Sequence, residues 1–528
     1  MEQVANLHII DYLIIGATFL LSLGVGFWFA KRQKDTKNYF TAKGSLPSWA
    51  IGISILATLI SSVTFLAYPG EGFSSNWIRL VQGLMVPIVL VFFIGFVVPL
   101  FRRVIGLSAY EYFEKRFGVL ARIYSSLAFV LTHFSKMGTV FFLISLALSK
   151  MIGIETTTII WVIGAVIILL TMLGGIEAVI WLDVIQGLLL IVGGVIALLI
   201  LLFTPEGGPV AVWNVAMENG RIGFGPFDWD FVNLTFWVMA INGVFYAIQK
   251  YGTDQTIVQR YLTARTDKDA IKASLTGVLL SVPVWALFMF IGTALFSYYQ
   301  LTGHALPPDV RADAVFPLFI MNHLPVGVVG IIISALIAAA VSSLDSDLNC
   351  LSAICVEDYY MRIHPKSSEK TKLFFSKLFV VLAGLGAIWV ALFYVKAGDS
   401  KGVLGIVFTL YAIFSGGIAG MFLLGIFSKR ANRQGLNVGI VASILFTAYA
   451  VLTSTVFNLN DESRLLLDLG NLNFSHHKYM IGVYSHVVLF VVGYIASLFF
   501  KTEQSDDEIK SLTYAGYLEL KRKSKLNS

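Results

Sequence analysis

Apolar stretches of about twenty residues recur along this 528-residue chain, the length a helix needs to cross the hydrocarbon of a bilayer. Thirteen are read: Tyr12–Ala30, Ser48–Tyr68, Leu80–Phe101, Ile123–Met151, Thr158–Leu173, Ile176–Phe203, Phe231–Tyr251, Ala273–Tyr299, Pro325–Asp347, Leu373–Val395, Val403–Phe427, Leu436–Val456 and Met480–Phe500. Lysine and arginine test this reading, because they gather in cytoplasmic loops. With each assigned to its nearest loop, 29 of the 38 fall after odd-numbered spans or in the tail, and 8 fall after even-numbered spans. Lys136, inside span 4, is the remaining one. One missed or invented span would destroy that asymmetry. The N-terminus is therefore expected outside and the C-terminus in the cytoplasm.

Only 13% of the residues are charged and 57% are hydrophobic, against about 25% charged in soluble domains. So few charges cannot coat a water-exposed surface, so most of the surface must meet the lipid bilayer. The chain is expected to be an all-α polytopic membrane protein. A single transmembrane domain covers residues 1–500, and a cytoplasmic tail, 501–528, is expected to be partly disordered. No basic patch sits on a polar domain, so nucleic acid is not an expected partner. Cys350 and Cys355 are read as packing residues. The first apolar stretch runs straight into Lys31 and Arg32 with no basic segment before it, and reads as a permanent span.

Polar residues inside spans mark ion or solute paths. Span 2 carries Thr58, Ser61, Ser62 and Thr64, followed by Pro69-Gly70. An opening in this helix would free carbonyls that, with the hydroxyls, can replace the water shell of a small cation. The competing reading is an intact helix with each hydroxyl bonded back to a carbonyl. In span 9, Ser342, Asp345 and Ser346 share one helix face, a set of oxygens suited to a hard cation. Asp347 is expected to reach cytoplasmic water. Asp183, near the start of span 6, either snorkels to the inner interface or completes the Ser342 site. Lys136, about fourteen residues into span 4, needs an anion or water. It is either half of an internal pair with an acid such as Glu71 or Asp183, or a fixed charge awaiting an anionic solute. His133 reads as a satisfied buried polar residue.

Several blocks resemble the sodium:solute symporter family: Tyr39-Phe40 to Ser45-Leu46-Pro47-Ser48-Trp49-Ala50, Ser61-Ser62-Val63-Thr64-Phe65, Ser108-Ala109-Tyr110-Glu111-Tyr112, Gly174-Gly175-Ile176-Glu177 to Trp181-Leu182-Asp183-Val184-Ile185-Gln186, Gln255-Thr256-Ile257-Val258-Gln259-Arg260-Tyr261 and Ala338-Ala339-Ala340-Val341-Ser342-Ser343. The likeness runs from about Asn38 to about Gly435 and is nearest to the bacterial sialic acid symporters of that family. It implies a five-plus-five inverted-repeat core over spans 2–11 (about 48–427), with spans 2 and 7 broken. It implies Na+ as the coupling ion, no organic cofactor and a small polar solute carried across the cell (inner) membrane. The main sodium site is implied at the carbonyls of Ala57, Ile60 and Ala339 and the hydroxyls of Ser342 and Ser343. A second is implied at Asp183, Ser342, Asp345 and Ser346, with Asp345 standing where the sialic acid transporters have serine. The implied substrate residues are Ser61, Ser62, Thr64, Gln82 and Lys136. Gln82 is displaced by one position, and Lys136 replaces an arginine, turning a bidentate fork into a point charge. The alternatives are a family carrier of a neutral solute, such as a hexose, inositol or amino acid, and a sensor that kept the transporter fold. A 28-residue tail offers no output domain for the latter. No histidine in a span has an evident catalytic partner, so an enzyme is not expected, nor is an obligate protein partner.

Overall fold

A computed structural model describes residues 7–308, 310–397, 416–459, 462–502 and 504–526. The helices that build the core are α1 (Ile9–Ala30), α2 (Ser48–Leu59), α3 (Ser62–Ser74), α4 (Leu80–Val104), α5 (Val119–Ile152), α6 (Thr156–Phe203), α7 (Phe236–Gly252), α8 (Gln255–Thr263), α9 (Asp267–Thr302), α10 (Val328–Ile354) and α11 (Glu369–Ala397). Then come α12 (Ile418–Phe427), α13 (Arg433–Ser454) and α14 (Lys478–Ser497). Among the described residues nine helices are long and apolar enough to cross a membrane, and ten if the bent pair α2/α3 is one span. Spans 5 and 6 fall together in α6, and span 7 is represented by the 17-residue α7. Most of the expected span Val403–Phe427 lies outside the described residues.

α6 has 48 residues, about 72 Å at 1.5 Å per residue, far more than one bilayer crossing. Its backbone leaves helical angles at Gly175 (φ 58°, ψ −164°), where the sequence places the boundary between spans 5 and 6. Only glycine occupies that region without strain. An added Cβ there would also lie 2.7 Å from the Tyr39 carbonyl oxygen. Tyr39 is fully buried and its hydroxyl donates to the Thr171 carbonyl at 2.9 Å, which pins the turn. Gly175→Ala is expected to destabilise the protein by about 2–3 kcal/mol. Thermal unfolding of the purified protein checks this; an unchanged midpoint would mean that the turn relaxes freely.

α10 is the central helix, packing against α1, α2, α3, α5, α6 and α11. Its residues from Ala338 to Ile354 are buried without exception. Around it, α9 crosses α2, α3 and α4, brought close by Gly72, whose added Cβ would stand 2.1 Å from the Met289 carbonyl oxygen. Large apolar side chains point outward: Phe92 is 85% exposed, and Trp28 and Trp389 nearly 70%. Exposure on that scale suits lipid, not water.

Two differences from the expected architecture concern the periphery. A short antiparallel hairpin, Val456–Leu459 with Glu462–Leu465, interrupts the all-helical pattern between α13 and α14. The tail forms two helices, Asp506–Leu512 and Tyr514–Leu526, the first opened by a capping box between Ser505 and Glu508. It docks rather than hanging free. The Tyr112 hydroxyl donates to the Leu512 carbonyl at 3.1 Å, and the Tyr514 ring meets Phe96 edge-on at 4.9 Å.

Candidate ion and substrate sites

Span 2 opens at Ile60-Ser61. Ile60 is extended (φ −105°, ψ 116°), and the axes of Ser48–Leu59 and Thr64–Ser74 differ by 57°. Pro69 follows the break, as expected, and sits inside α3. The break strips the last carbonyls of α2, from Ala57 to Ile60, of their helical amide partners. The Ser61 amide turns to the Thr64 hydroxyl at 3.4 Å. Ser62 Oγ is buried with no hydrogen-bond partner among the described residues. α10, which carries Ala339, Ser342 and Ser343, packs across both halves of the span. Ser343 Oγ is likewise buried and unpartnered. An orphaned buried hydroxyl costs about 1–3 kcal/mol, so these oxygens hold lone pairs in reserve. Carbonyls freed at a helix end and unpartnered buried hydroxyls both fit a sodium ion's preference for hard oxygen ligands.

Beside this opening lies a buried polar node. Asp183 is fully buried rather than snorkelling. Its Oδ1 accepts from Ser342 Oγ at 2.5 Å, and its Oδ2 accepts from Ser54 Oγ at 2.5 Å and Arg260 Nη2 at 2.9 Å. Arg260 also donates to Ser346 Oγ at 2.8 Å and Ser54 Oγ at 2.8 Å. Asp345 is 0% exposed, and its Oδ2 has no hydrogen-bond partner among the described residues. With both acids ionised, Asp183 and Asp345 face one guanidinium, leaving one negative charge to be matched. Sequence reasoning missed Arg260. It sits on the short helix α8, opened by the Asp254 cap, and its polar neighbours read as an inner loop.

Lys136 finds its partner elsewhere than expected. Its Nζ lies 3.0 Å and 3.1 Å from the two carboxylate oxygens of Asp347. Glu71 is held by Arg79 at 3.0 Å, and Asp183 by Arg260. Asp347, read as reaching cytoplasmic water, is fully buried. His133 Nδ1 binds Asp347 at 2.8 Å, while its Nε2 lies 3.6 Å from Asp254. The imidazole stacks on Phe129 at 3.8 Å, so His133 is the satisfied buried residue expected. Lys250 closes the network on Asp254 at 2.7 Å. Two lysines and two carboxylates thus balance within one cluster joining α5, α10 and the α7/α8 break. The Lys136 side chain keeps 30% of its surface accessible, so the ammonium is not sealed. Span 7 (Phe231–Tyr251), expected to be broken, holds the unbroken α7, and the helix opens just past that span, at Thr253-Asp254, before α8. Gln82 lies in the first turn of α4, its backbone against Gly243 of α7. α5 packs on α3, which sets the helix carrying Lys136 beside the one carrying Ser62 and Thr64.

Residues 39–442 match the model of the sodium:solute symporter family. The chain is 33% identical to the sodium/sialic acid symporter NanT of Aliivibrio fischeri over 507 residues, 96% of both proteins. It is 35% identical to the sodium/sialic acid symporter SiaT of Proteus mirabilis, over 84% of this chain and 90% of that one. Its fold superposes with a TM-score of 0.85 on the substrate-bound, outward-open structure of a Na+-coupled sialic acid symporter, at 32% identity, covering 94% of this chain and 99% of that one. A broken span 2 facing a serine-bearing span 9, in a chain matched over nearly its whole length, leads to one assignment: the protein belongs to the sodium:solute symporter family.

Proposed function

We propose that this protein couples the inward movement of sodium to uptake of a carboxylated sugar, sialic acid being the favoured solute, by alternating access across the inner membrane. The N-terminus is outside and the tail is in the cytoplasm. The opening of span 2 opposite Ser342 and Ser343 carries the reading. Sodium held by the Ala57, Ile60 and Ala339 carbonyls and these hydroxyls bridges α2 to α10. That bridge holds the Ser61–Thr64 segment in the shape that receives solute. Asp183, Asp345, Ser342 and Ser346 form a second cation site, where the unmatched negative charge favours Na+ or a proton. Solute lies among Ser61, Ser62, Thr64, Gln82 and Lys136. Rocking of one repeat against the other then exposes it to the cytoplasm.

An ammonium has three donors, so Lys136 can keep Asp347 and still receive a solute carboxylate. Lys136→Gln is expected to raise the KM for sialic acid about tenfold or more while sparing any neutral sugar carried. Asp347→Asn, which frees the ammonium, is expected to lower it. The Lys136–Asp347 pair also favours a second reading, a neutral solute, with Lys136 only a structural partner. Uptake of radiolabelled sialic acid into proteoliposomes, with and without an inward sodium gradient and against competing sugars, sugar acids and amino acids, decides between them. Gradient-driven uptake blocked best by carboxylated sugars supports the first. Competition by neutral sugars alone supports the second.

A further inference from the structure

We infer that a cavity at the far end of α3 and α9, remote from the Lys136 cluster, is a second binding site, for a small carboxylate-bearing solute. The cavity measures about 380 Å³ and is bordered by Ser74, Arg221, Phe296, Tyr299, Gln300 and His304, among others. That volume falls within the range of small-ligand sites. None of its bordering residues is acidic. Most of the polar ones can donate a hydrogen bond: a guanidinium, an amide, the Tyr299 hydroxyl and an imidazole, while the Ser74 hydroxyl donates to the Gly70 carbonyl at 2.8 Å.

Arg221 gives the cavity its charge. Its amide donates to the Ala216 carbonyl at 2.9 Å, closing the end of the short helix Gly208–Glu218. That helix is fastened to α9 by the Ser297 hydroxyl, which donates to the Val212 carbonyl at 2.8 Å. The guanidinium lies 4.1 Å from the Phe296 ring centre, which covers one of its faces. Arg221 Nε is buried with no hydrogen-bond partner among the described residues. Glu71 and Asp313, acids at this end of the bundle, are engaged by Arg79 at 3.0 Å and Arg311 at 2.9 Å. A guanidinium with no ion pair among the described residues, set among further donors, is an arrangement that takes a carboxylate. The occupant touches Ser74 at the end of α3, so it joins the outer half of the broken span 2 to α9.

The test places a cysteine at the exposed Gln300 (Gln300→Cys) in the full-length protein, purified in detergent. The two native cysteines, Cys350 and Cys355, lie at the opposite end of the bundle, and the protein without the new cysteine sets the background. Modification by an anionic methanethiosulfonate is expected to outpace that by a cationic one. Sodium acetate or sodium sialate should slow it about tenfold, the worth of one charge-assisted hydrogen bond. Sodium chloride at the same ionic strength should not. Arg221→Gln should abolish both the preference and the protection. Equal protection by chloride would reduce the effect to screening and overturn the site, as would carboxylate protection that persists in Arg221→Gln. An unchanged thermal unfolding midpoint certifies the fold of Arg221→Gln. The labelling needs no transport, so its outcome stands apart from that of the uptake assay.

Discussion

Arg260→Met destabilises the protein by about 3–5 kcal/mol, the expected loss when one partner of a buried ion pair is removed. Arg260 and Asp183 are both 0% exposed, 2.9 Å apart. Without the guanidinium, Asp183 keeps only hydroxyl donors, and Asp345 stands nearby with an unpaired oxygen. Two uncompensated acids then share one low-dielectric pocket. Adding Asp183→Leu is expected to recover much of the loss, because a buried pair replaced by apolar groups of similar volume is often neutral. Thermal unfolding of the single and double variants, in sodium-free buffer, measures both. A single-variant loss below about 1 kcal/mol, with no recovery in the double, would mean that water solvates the node and that the pair is not structural.

Ser343→Ala separates ion binding from stability. Its hydroxyl makes no hydrogen bond among the described residues, so its removal in sodium-free buffer should leave the unfolding midpoint unchanged or slightly raised. Sodium stabilises whatever state binds it by RT ln(1 + [Na+]/Kd). The variant should therefore lose the sodium-induced rise in midpoint. Its half-saturating sodium concentration for uptake should increase by about tenfold or more. Ser342→Ala should lose sodium activation too, but with a stability loss of about 1–3 kcal/mol, because Ser342 also donates to Asp183 at 2.5 Å. Unchanged sodium activation in both variants would remove the site from these serines.

Some of this was legible in the chain and some was not, for identifiable reasons. The gap between spans 5 and 6 was set at Gly174-Gly175, and glycine alone tolerates the backbone angles found there. The clustered hydroxyls of span 2 pointed to an opening, and it falls among them, at Ile60-Ser61, while Pro69 fits inside α3. Asp347 was misread because its position at the inner end of an apolar run resembles a snorkelling acid. Its partners His133 and Lys136 are more than two hundred residues away in sequence. Arg260 was hidden for a related reason. Local polarity describes what surrounds a residue along the chain, and α8 is polar along the chain yet buried almost throughout. Partner choice among buried charges is set by helix packing, which periodicity does not encode.

The balanced cluster of His133, Lys136, Lys250, Asp254 and Asp347 has an evolutionary consequence. Losing any one of its four formal charges strands an opposite charge inside the bundle, so drift at these positions must be concerted. Homologues carrying a neutral residue at the position of Lys136 are expected to have discarded the acid at the position of Asp347 as well. Those in which arginine replaces the lysine are free to keep it. Covariation between span 4 and span 9 would then record an electroneutrality constraint, written across helices far apart in the gene.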